Sequence, residues 1–524
     1  MTQQGPIPVI DLFAGPGGLG EGFTSLVDGN GQRRFAVKVA IEKDPVAHRT
    51  LSLRAFFRQF KPGAVPECYY DYVRGRITRE ELFAHPDAVE AAKQATSEAQ
   101  CAEMGKSPQE TEKIDKWIKD ALGGASEWAL IGGPPCQAYS LAGRARMRLK
   151  DTAAFESDKR HFLYTEYLRI IRKFGPTVFV MENVKGMLTS QHGGSPIFDR
   201  ILSDLTSPGN GLHYQIRSIV VDKEDLEHKD FVIEAEKFGV PQRRHRVILF
   251  GIRSDIATDS SDLGRKRSRF LLTPVEEQIT VKKALSGLPP LRSRLSKEPD
   301  SHGAWLAVLK KAPISLKGWK TITRMKIEFA MESAVGRAAS YMSVGQPFDP
   351  QRIALDPTLP QEFQTWIHDP KLGGVLQHQT RSHMRSDLHR YMFASCFAMA
   401  NDYSPKLNIF PPKLRPAHEN IDDESIPFTD RFRVQLANEP STTVVSHISK
   451  DGHYYIHHDP AQCRSLTVRE AARLQTFPDN YFFEGNKTQQ YHQIGNAVPP
   501  YLARKIAEVV NDFIRSSRRK PAVY

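Results

Sequence analysis

Four short stretches of this sequence set reactive side chains beside backbone-shaping residues. Gly132-Gly133-Pro134-Pro135-Cys136-Gln137 places a thiol directly after two prolines. The proline rings fix two φ angles and remove two amide donors, which stiffens the loop and presents the next side chain. A lone cysteine is commonly an inert core residue, but glycines and prolines on either side do not suit a packed core position. Glu182-Asn183-Val184 closes an apolar run with a carboxylate. Such an acid is either a helix cap or a proton donor whose pKa burial would raise. In Pro241-Gln242-Arg243-Arg244-His245-Arg246, Arg244 and Arg246 alternate with His245 and so can point to one face of a strand. Planar donors there could hold a base carbonyl, a carboxylate or a phosphate; an exposed basic edge is the plainer alternative. Finally, Asp11-Leu12-Phe13-Ala14-Gly15-Pro16-Gly17-Gly18 is a glycine-rich turn that lets backbone approach a ligand, and Glu42 could accept two hydrogen bonds from a ribose diol. The full G-x-G-x-x-G spacing is absent, so a ligand-free strand-to-helix turn competes with that reading.

These residues sit beside apolar runs that read as strands. Pro8–Phe13 precedes the glycine turn, and Phe35, Val37, Val39 and Ile41 alternate into a second strand that ends at Glu42. Trp128–Ile131, Val178–Met181 and Val247–Ile252 read as three more buried strands. The order predicts a doubly wound α/β sheet with its ligands at the strand ends. From about Pro62 to Ser126 the sequence turns polar and rich in Ala and Glu, and residues 88–121 read as helical insertion rather than sheet. From 255 to about 430 periodicity is poor and prolines are frequent, which predicts a second, irregular domain. Leu502, Ile506, Val509, Val510 and Phe513 recur at helical spacing, so the chain closes on an amphipathic helix.

The 524 residues carry 72 Lys and Arg against 60 Asp and Glu, a net +12. That length gives room for two to four domains with real cores, which excludes small disulfide scaffolds and disordered chains. Between Ser261 and Lys320 stand 13 basic and five acidic residues, +8 of the total. The clustering is an expected phosphate footprint, with a solvated charged face as its alternative. Five scattered cysteines without a C-x-x-C pair argue for a reducing compartment and against structural zinc. His378, His383 and His389, spaced 5 and 6 apart, lack cysteine partners and a clean i, i+4 helix, so no metal is expected. No signal peptide and no membrane-length apolar run is evident, and the expected location is cytoplasmic, associated with the nucleoid.

Taken in order, the four stretches resemble the DNA (cytosine-5)-methyltransferase family. The likeness resumes in Arg469-Glu470-Ala471-Ala472-Arg473-Leu474-Gln475-Thr476-Phe477-Pro478 and in Gln493-Ile494-Gly495-Asn496-Ala497-Val498-Pro499-Pro500. The resemblance implies a Rossmann-like S-adenosylmethionine-dependent methyltransferase fold with a second, irregular target-recognition domain. It divides the chain into a catalytic domain at 1–265 (with the insertion at about 60–125), a recognition domain at 266–465, and a segment at 466–524 completing the first. Cys136 would be the nucleophile at cytosine C6, Glu182 the proton source at N3, Arg246 its orienting partner and Arg244 a nearby support. S-adenosyl-L-methionine would be held by Asp11, Phe13, Gly15, Gly17, Gly18, Glu42, Pro134, Asn496 and Val498. Gln137, Ser140, Arg144, Arg146 and Gln242 would contact DNA, with the base flipped from the duplex. The implied partners are double-stranded DNA, no membrane, and a cognate restriction endonuclease as a functional partner; the protein is expected to be monomeric. The 93 residues between Glu42 and Cys136 exceed those of compact relatives and hide the acid that usually reads the cofactor's adenine amino group; no motif supports Asp71 in that role. Three other readings stay open: a cytosine-5 methyltransferase acting on tRNA, a non-catalytic DNA-binding relative, and a nicotinamide-dependent oxidoreductase.

Overall fold

A run of β-branched residues buried on both faces makes a central strand, and the first such run sets the architecture. In the computed structural model, which describes residues 5–135, 163–192, 195–256, 270–416 and 430–517, β1 (Ile7–Leu12) lies in the middle of an eight-stranded sheet. It leads through the glycine turn into α1 (Gly18–Ser25), β2 (Phe35–Glu42) and α2 (Pro45–Arg58). Three helices follow: α3 (Glu67–Val73), α4 (Arg79–Ala84) and α5 (Val89–Glu98). Then come β3 (Ala99–Cys101), α6 (Pro108–Leu122), β4 (Ala129–Gly132), α7 (Leu163–Phe174) and β5 (Val178–Val184). α8 (Ile197–Thr206), β6 (Tyr214–Arg217), β7 (Val232–Glu234) and β8 (His245–Arg253) complete this half. The strand order is β3-β2-β1-β4-β5-β8-β6, with β7 also on β8. β1 to β5 pair in parallel, and β8 runs antiparallel to β5, β6 and β7.

The expected doubly wound sheet is therefore present, with one correction. Residues 88–121 are not all helical insertion. β3 is the parallel edge strand beside β2, with Cys101 opposite Glu42, and α6 is the crossover that returns the chain to β4. The inserted part is α3 to α5.

The second half of the chain differs from its expected irregularity. α9 (His302–Lys311), α10 (Arg324–Ala338) and α12 (Arg385–Asn401), with the short α11 (Gln361–Ile367) between the last two, bring Trp305, Leu309, Ile327, Met331, Leu388, Tyr391 and Phe393 into one buried cluster. Loops do surround it, but the core is helical. α13 (Val468–Leu474), α14 (Lys487–Asn496) and α15 (Pro500–Ser517) then return to the sheet. α15 buries Leu502, Ile506, Val509, Val510 and Phe513 beside the β-sheet residues Ile248, Phe250 and Ile252. Among the described residues no helix is long and apolar enough to cross a membrane.

Candidate active site

The parallel strands β1, β2, β4 and β5 bring their carboxyl ends to one edge of the sheet, where open α/β sheets bind ligands. After β1 the chain turns through Phe13 and Gly15, both at φ 57°. A non-glycine residue in that region is strained, and Phe13 keeps its ring half-buried at the turn. The Gly15 amide donates to Glu42 Oε2 at 2.8 Å, and the Asp44 amide donates to Oε1 at 2.7 Å. Burial raises the pKa of the Glu42 carboxyl, opposed by these amide bonds. Each carboxylate oxygen keeps a second lone pair, and a Cβ at Gly15 would find no heavy atom within 4 Å. Open space beside an acceptor pair fits the ribose diol of the expected S-adenosylmethionine.

The turn is held from below and from the far end of the chain. Glu21 accepts two bonds from Arg54, at 2.8 and 2.5 Å, and Arg58 Nη2 donates to Glu98 at 2.5 Å, all four side chains being buried. The Tyr481 hydroxyl donates to the Pro16 carbonyl. A Cβ on Gly18 would overlap the Val498 carbonyl oxygen, and one on Gly22 would overlap Ala503 and Pro500. Val498 thus reaches the turn through its backbone, whereas Asn496 is exposed, its amide 3.3 Å from His492. Asp11 lies under the turn, wholly buried, with neither carboxylate oxygen hydrogen-bonded. Its expected cofactor contact is corrected to a supporting position, because none of its surface faces the cleft. Gly17, at φ 99°, faces Leu51 and Tyr481 on the same inner side.

Across the edge, Glu182 near the end of β5 forms an ion pair with Arg246 on the adjoining β8, Oε1 to Nε at 3.0 Å. Burial lowers the pKa of the Arg246 guanidinium, opposed by Glu182. Arg246 Nη1 also donates to the His245 carbonyl at 2.8 Å. The loop after β4 passes directly over the acid: a Cβ on Gly133 would stand 3.0 Å from Glu182 Oε2. Asn183 Nδ2 donates to the Pro134 carbonyl at 3.3 Å and pins the same loop. Cys136 follows two residues later. With Gln137, Ser140, Arg144 and Arg146 it lies outside the described residues.

Two polar residues of the Pro241–Arg246 stretch do other work than expected. Gln242, expected as a DNA contact, is fully buried: its amide donates to Gln475 Oε1 at 2.7 Å and the Leu474 carbonyl at 3.1 Å, and its oxygen accepts from the Val444 amide at 2.7 Å. Arg244, expected beside the catalytic pair, donates to the carbonyls of Val444 at 2.9 Å and Gly495 at 3.3 Å. Burial, and then the charge of Arg246, push its pKa well down. Both are corrected to positioning residues that join the start of β8 to the later chain, because both are buried and the Gln242 amide and Arg244 Nη1 are bonded to that chain.

Some residues escaped the sequence reading. Asp71 is paired with Arg76 at 2.9 Å in and after α3, away from the strand ends. Glu103, two residues past β3, instead stands beside the end of β2, 3.3 Å from Lys43 Nζ and with its side chain 46% exposed. Its only sequence signal is an acid just past a strand too short to recognise. The Arg469–Pro478 block proves to be a junction. Arg464 grips Glu470 at 2.7 and 2.6 Å, Arg473 grips Asp479 at 2.8 Å twice, and Arg469 donates to the carbonyls of Leu376, Pro478 and Tyr481. His378 bonds to Thr467 and the Pro289 carbonyl, and His389 to the Val308 carbonyl, so the three spaced histidines do not converge. Glu234, Glu236 and His245 do bring ligand atoms within 4.8 Å of one another, but Lys237 already occupies the Glu234 carboxylate at 2.5 Å.

Comparison with known proteins agrees with this geometry. The sequence profile of the C-5 cytosine-specific DNA methylases matches residues 103–512. The type II methyltransferase M.Bpa9945I of Bacillus paralicheniformis is 32% identical over 519 residues, covering 97% of this chain and 99% of that one. M.AgeI of Thalassovita gelatinovora, also a type II methyltransferase, is 27% identical over 96% of this chain and 98% of its own. The DNA (cytosine-5-)-methyltransferase M.ApeKI of Aeropyrum pernix is 26% identical over 75% of this chain and 83% of its own. The chain belongs to the C-5 cytosine-specific DNA methylase family, enzymes that transfer a methyl group from S-adenosylmethionine to C5 of cytosine in DNA.

Proposed function

We propose that this methyltransferase acts through Cys136, Glu182 and Arg246 on a cytosine flipped out of a specific duplex sequence, as the modifying half of a restriction–modification pair. The ion pair of Glu182 with Arg246, directly beneath the loop that leads to Cys136, carries the reading. Cytosine C5 is a poor nucleophile until a thiolate adds at C6, which turns the ring into an enamine. Addition places negative charge at N3, where Glu182, oriented by Arg246, delivers a proton. When bound, S-adenosylmethionine supplies the electrophilic methyl group that C5 takes up. Loss of the C5 proton to a base or water then expels the Cys136 thiolate from C6, and return of the N3 proton to Glu182 leaves neutral 5-methylcytosine.

Phe13, Gly15, Gly17, Gly18, Glu42 and the Val498 backbone would hold the cofactor, with Pro134 on the opposite wall and Asn496 at the rim. Glu103, beside Glu42 at the end of β3, would accept the adenine amino group. Residues 266–465 would read the sequence, since base edges specify what phosphate contacts only position. The functional partner would be a cognate endonuclease, and the protein would work as a monomer on the nucleoid in the cytoplasm.

The direct test is transfer of tritiated methyl to mixed-sequence duplex DNA and to bulk tRNA. Wild type is expected to label DNA and Cys136→Ser to label neither. Equal labelling by the mutant, or labelling of tRNA alone, would reject the proposal. Bisulfite sequencing of a host genome expressing the protein then gives the target.

A further inference from the structure

The end of α9, the turn after it and the start of α10 carry charge and apolar area that the cleft does not use. From Ser301 to Ile327 the chain has six basic residues (Lys310, Lys311, Lys317, Lys320, Arg324, Lys326) and no Asp or Glu. All but the half-buried Arg324 are exposed. Among the described residues Lys310, Lys311, Lys317 and Lys320 have no ion-pair partner, and Arg324 reaches only Glu328, at 3.5 Å one turn along its own helix. By contrast Arg292, from the same basic stretch of the sequence, is buried and bound twice to Asp300, so its charge is spent inside the fold. Arg265, Lys266, Arg267 and Arg269 lie outside the described residues.

Among these charges stand four large apolar side chains open to water: Ile314 (62% exposed), Ile322 (100%), Met325 (80%) and Phe329 (73%). Met325 and Phe329 are one turn apart on the side of α10 away from its buried residues Ile327, Ala330, Met331 and Ala334. Thr323 gives α10 no side-chain cap, so the first-turn amides and the positive end of the helix dipole lie at the same place. A solvated charged face has no need of four bare hydrophobic residues, and an apolar protein interface has no need of an acid-free run of lysines. Duplex DNA accepts both: cations sit on its phosphates, and apolar side chains can lodge in the groove between them.

We propose that residues 310–329 are a DNA-docking surface, with Lys310, Lys311, Lys317 and Lys320 on phosphates and Ile322, Met325 and Phe329 seated in the groove. The proposal rests on the family's DNA substrate and on no assignment in the cleft. It is tested by the affinity of the full chain for a fluorescent mixed-sequence duplex long enough to overhang the protein, measured against salt. Each phosphate contact contributes about 0.9 to the slope of log affinity against log salt. The variant K310Q/K311Q/K317Q/K320Q should therefore flatten that slope by about 3 to 4. I322S/M325S/F329S should weaken binding with the slope unchanged. Both variants should melt as the wild type does, because every substituted side chain is exposed. Wild-type affinity and slope in both variants would overturn the proposal. So would a serine variant that binds DNA normally but loses self-association, which would make the surface a protein interface. Absence of methyl transfer by the wild type would instead count against the proposed reaction and leave this surface to its own test.

Discussion

Asp11 should make the fold less stable as pH rises, and Asp11→Asn should abolish that dependence. The carboxyl is wholly buried and burial raises its pKa from 3.8 to about 7; Arg58 and the approach of the Gly20 backbone pull it down, while Glu98 and Glu42 push it up. Neither oxygen has a hydrogen-bond partner to stabilise the charged form. An acid whose pKa is higher folded than unfolded keeps its proton longer in the folded state. Stability is therefore greatest below pH 3.8 and is lost progressively as pH climbs toward 7. Between pH 5 and 8 the native group gives up nearly two units of proton affinity that the unfolded chain has already lost. At 1.36 kcal/mol per unit this is about 2.6 kcal/mol. Asparagine has nearly the same shape and no charge, so the variant should match wild type near pH 5 and exceed it by about that amount at pH 8. Other groups titrate in this window too, and the difference between the two proteins removes them. The assay is hydrogen exchange in peptides from β1 and β4, corrected for intrinsic rates, because a protein of several cores need not unfold in one step. Parallel stability curves, or a variant weaker at every pH, would show that Asp11 is a satisfied structural acid.

Gly18→Ala should cost about 1–3 kcal/mol and at least tenfold in S-adenosylmethionine affinity, because a Cβ there overlaps the rigid Val498 backbone; melting and calorimetry read the two effects. Glu182→Gln keeps the shape of the acid but removes its charge and proton, so single-turnover methyl transfer should slow about 10²–10⁴-fold with cofactor affinity unchanged. Arg464→Met leaves Glu470 buried without its partner and should cost about 3–5 kcal/mol in urea titrations, most of it recovered by the double variant Arg464→Met/Glu470→Leu.

What could be read from the sequence followed from how each element is buried. The five strands foreseen are apolar runs because they lie in the interior of the sheet, buried on both faces. β3 is Ala-Gln-Cys and carries no such signal; it exists because its backbone pairs with β2. The helices of the second half were hidden for two opposite reasons. α12 is buried on every side from Tyr391 to Ala398, so polar and apolar residues do not alternate along it. α10 buries Ile327 and Met331 among the small Ala330, Ala334 and Ala338, while its equally large Met325 and Phe329 face water, so its apolar residues mark no single face. At the strand ends, Glu182 and Arg246 stand out locally as charged residues bordering apolar runs, and adjoining strands bring them into one ion pair. Gln242 and Arg244 look no different in sequence, yet their partners lie more than 190 residues away at Val444, Leu474, Gln475 and Gly495. Residue type announces that a group must be satisfied, not by what.

Those distant partners link the second half of the chain to the Glu182–Arg246 pair. The Val444 backbone is held on one side by Gln242 and on the other by Arg244, and its neighbours Val445 and Ser446 sit so close to Gly495 that a Cβ there has no room. Gly495 in turn receives Arg244, and three residues on Val498 presses on the glycine turn at Gly18. Residues 444–446 therefore touch two separate segments at once. The 493–498 segment packs against the glycine turn, and the Gln242–Arg244 backbone continues through His245 into Arg246 and its bond to Glu182. Close packing makes such a junction respond by shifting as a unit rather than by bending. Residues 444–446, the 493–498 segment and the start of β8 meet at one buried seam of backbone carbonyls and the Arg244 guanidinium, whose two bonds hold that seam together.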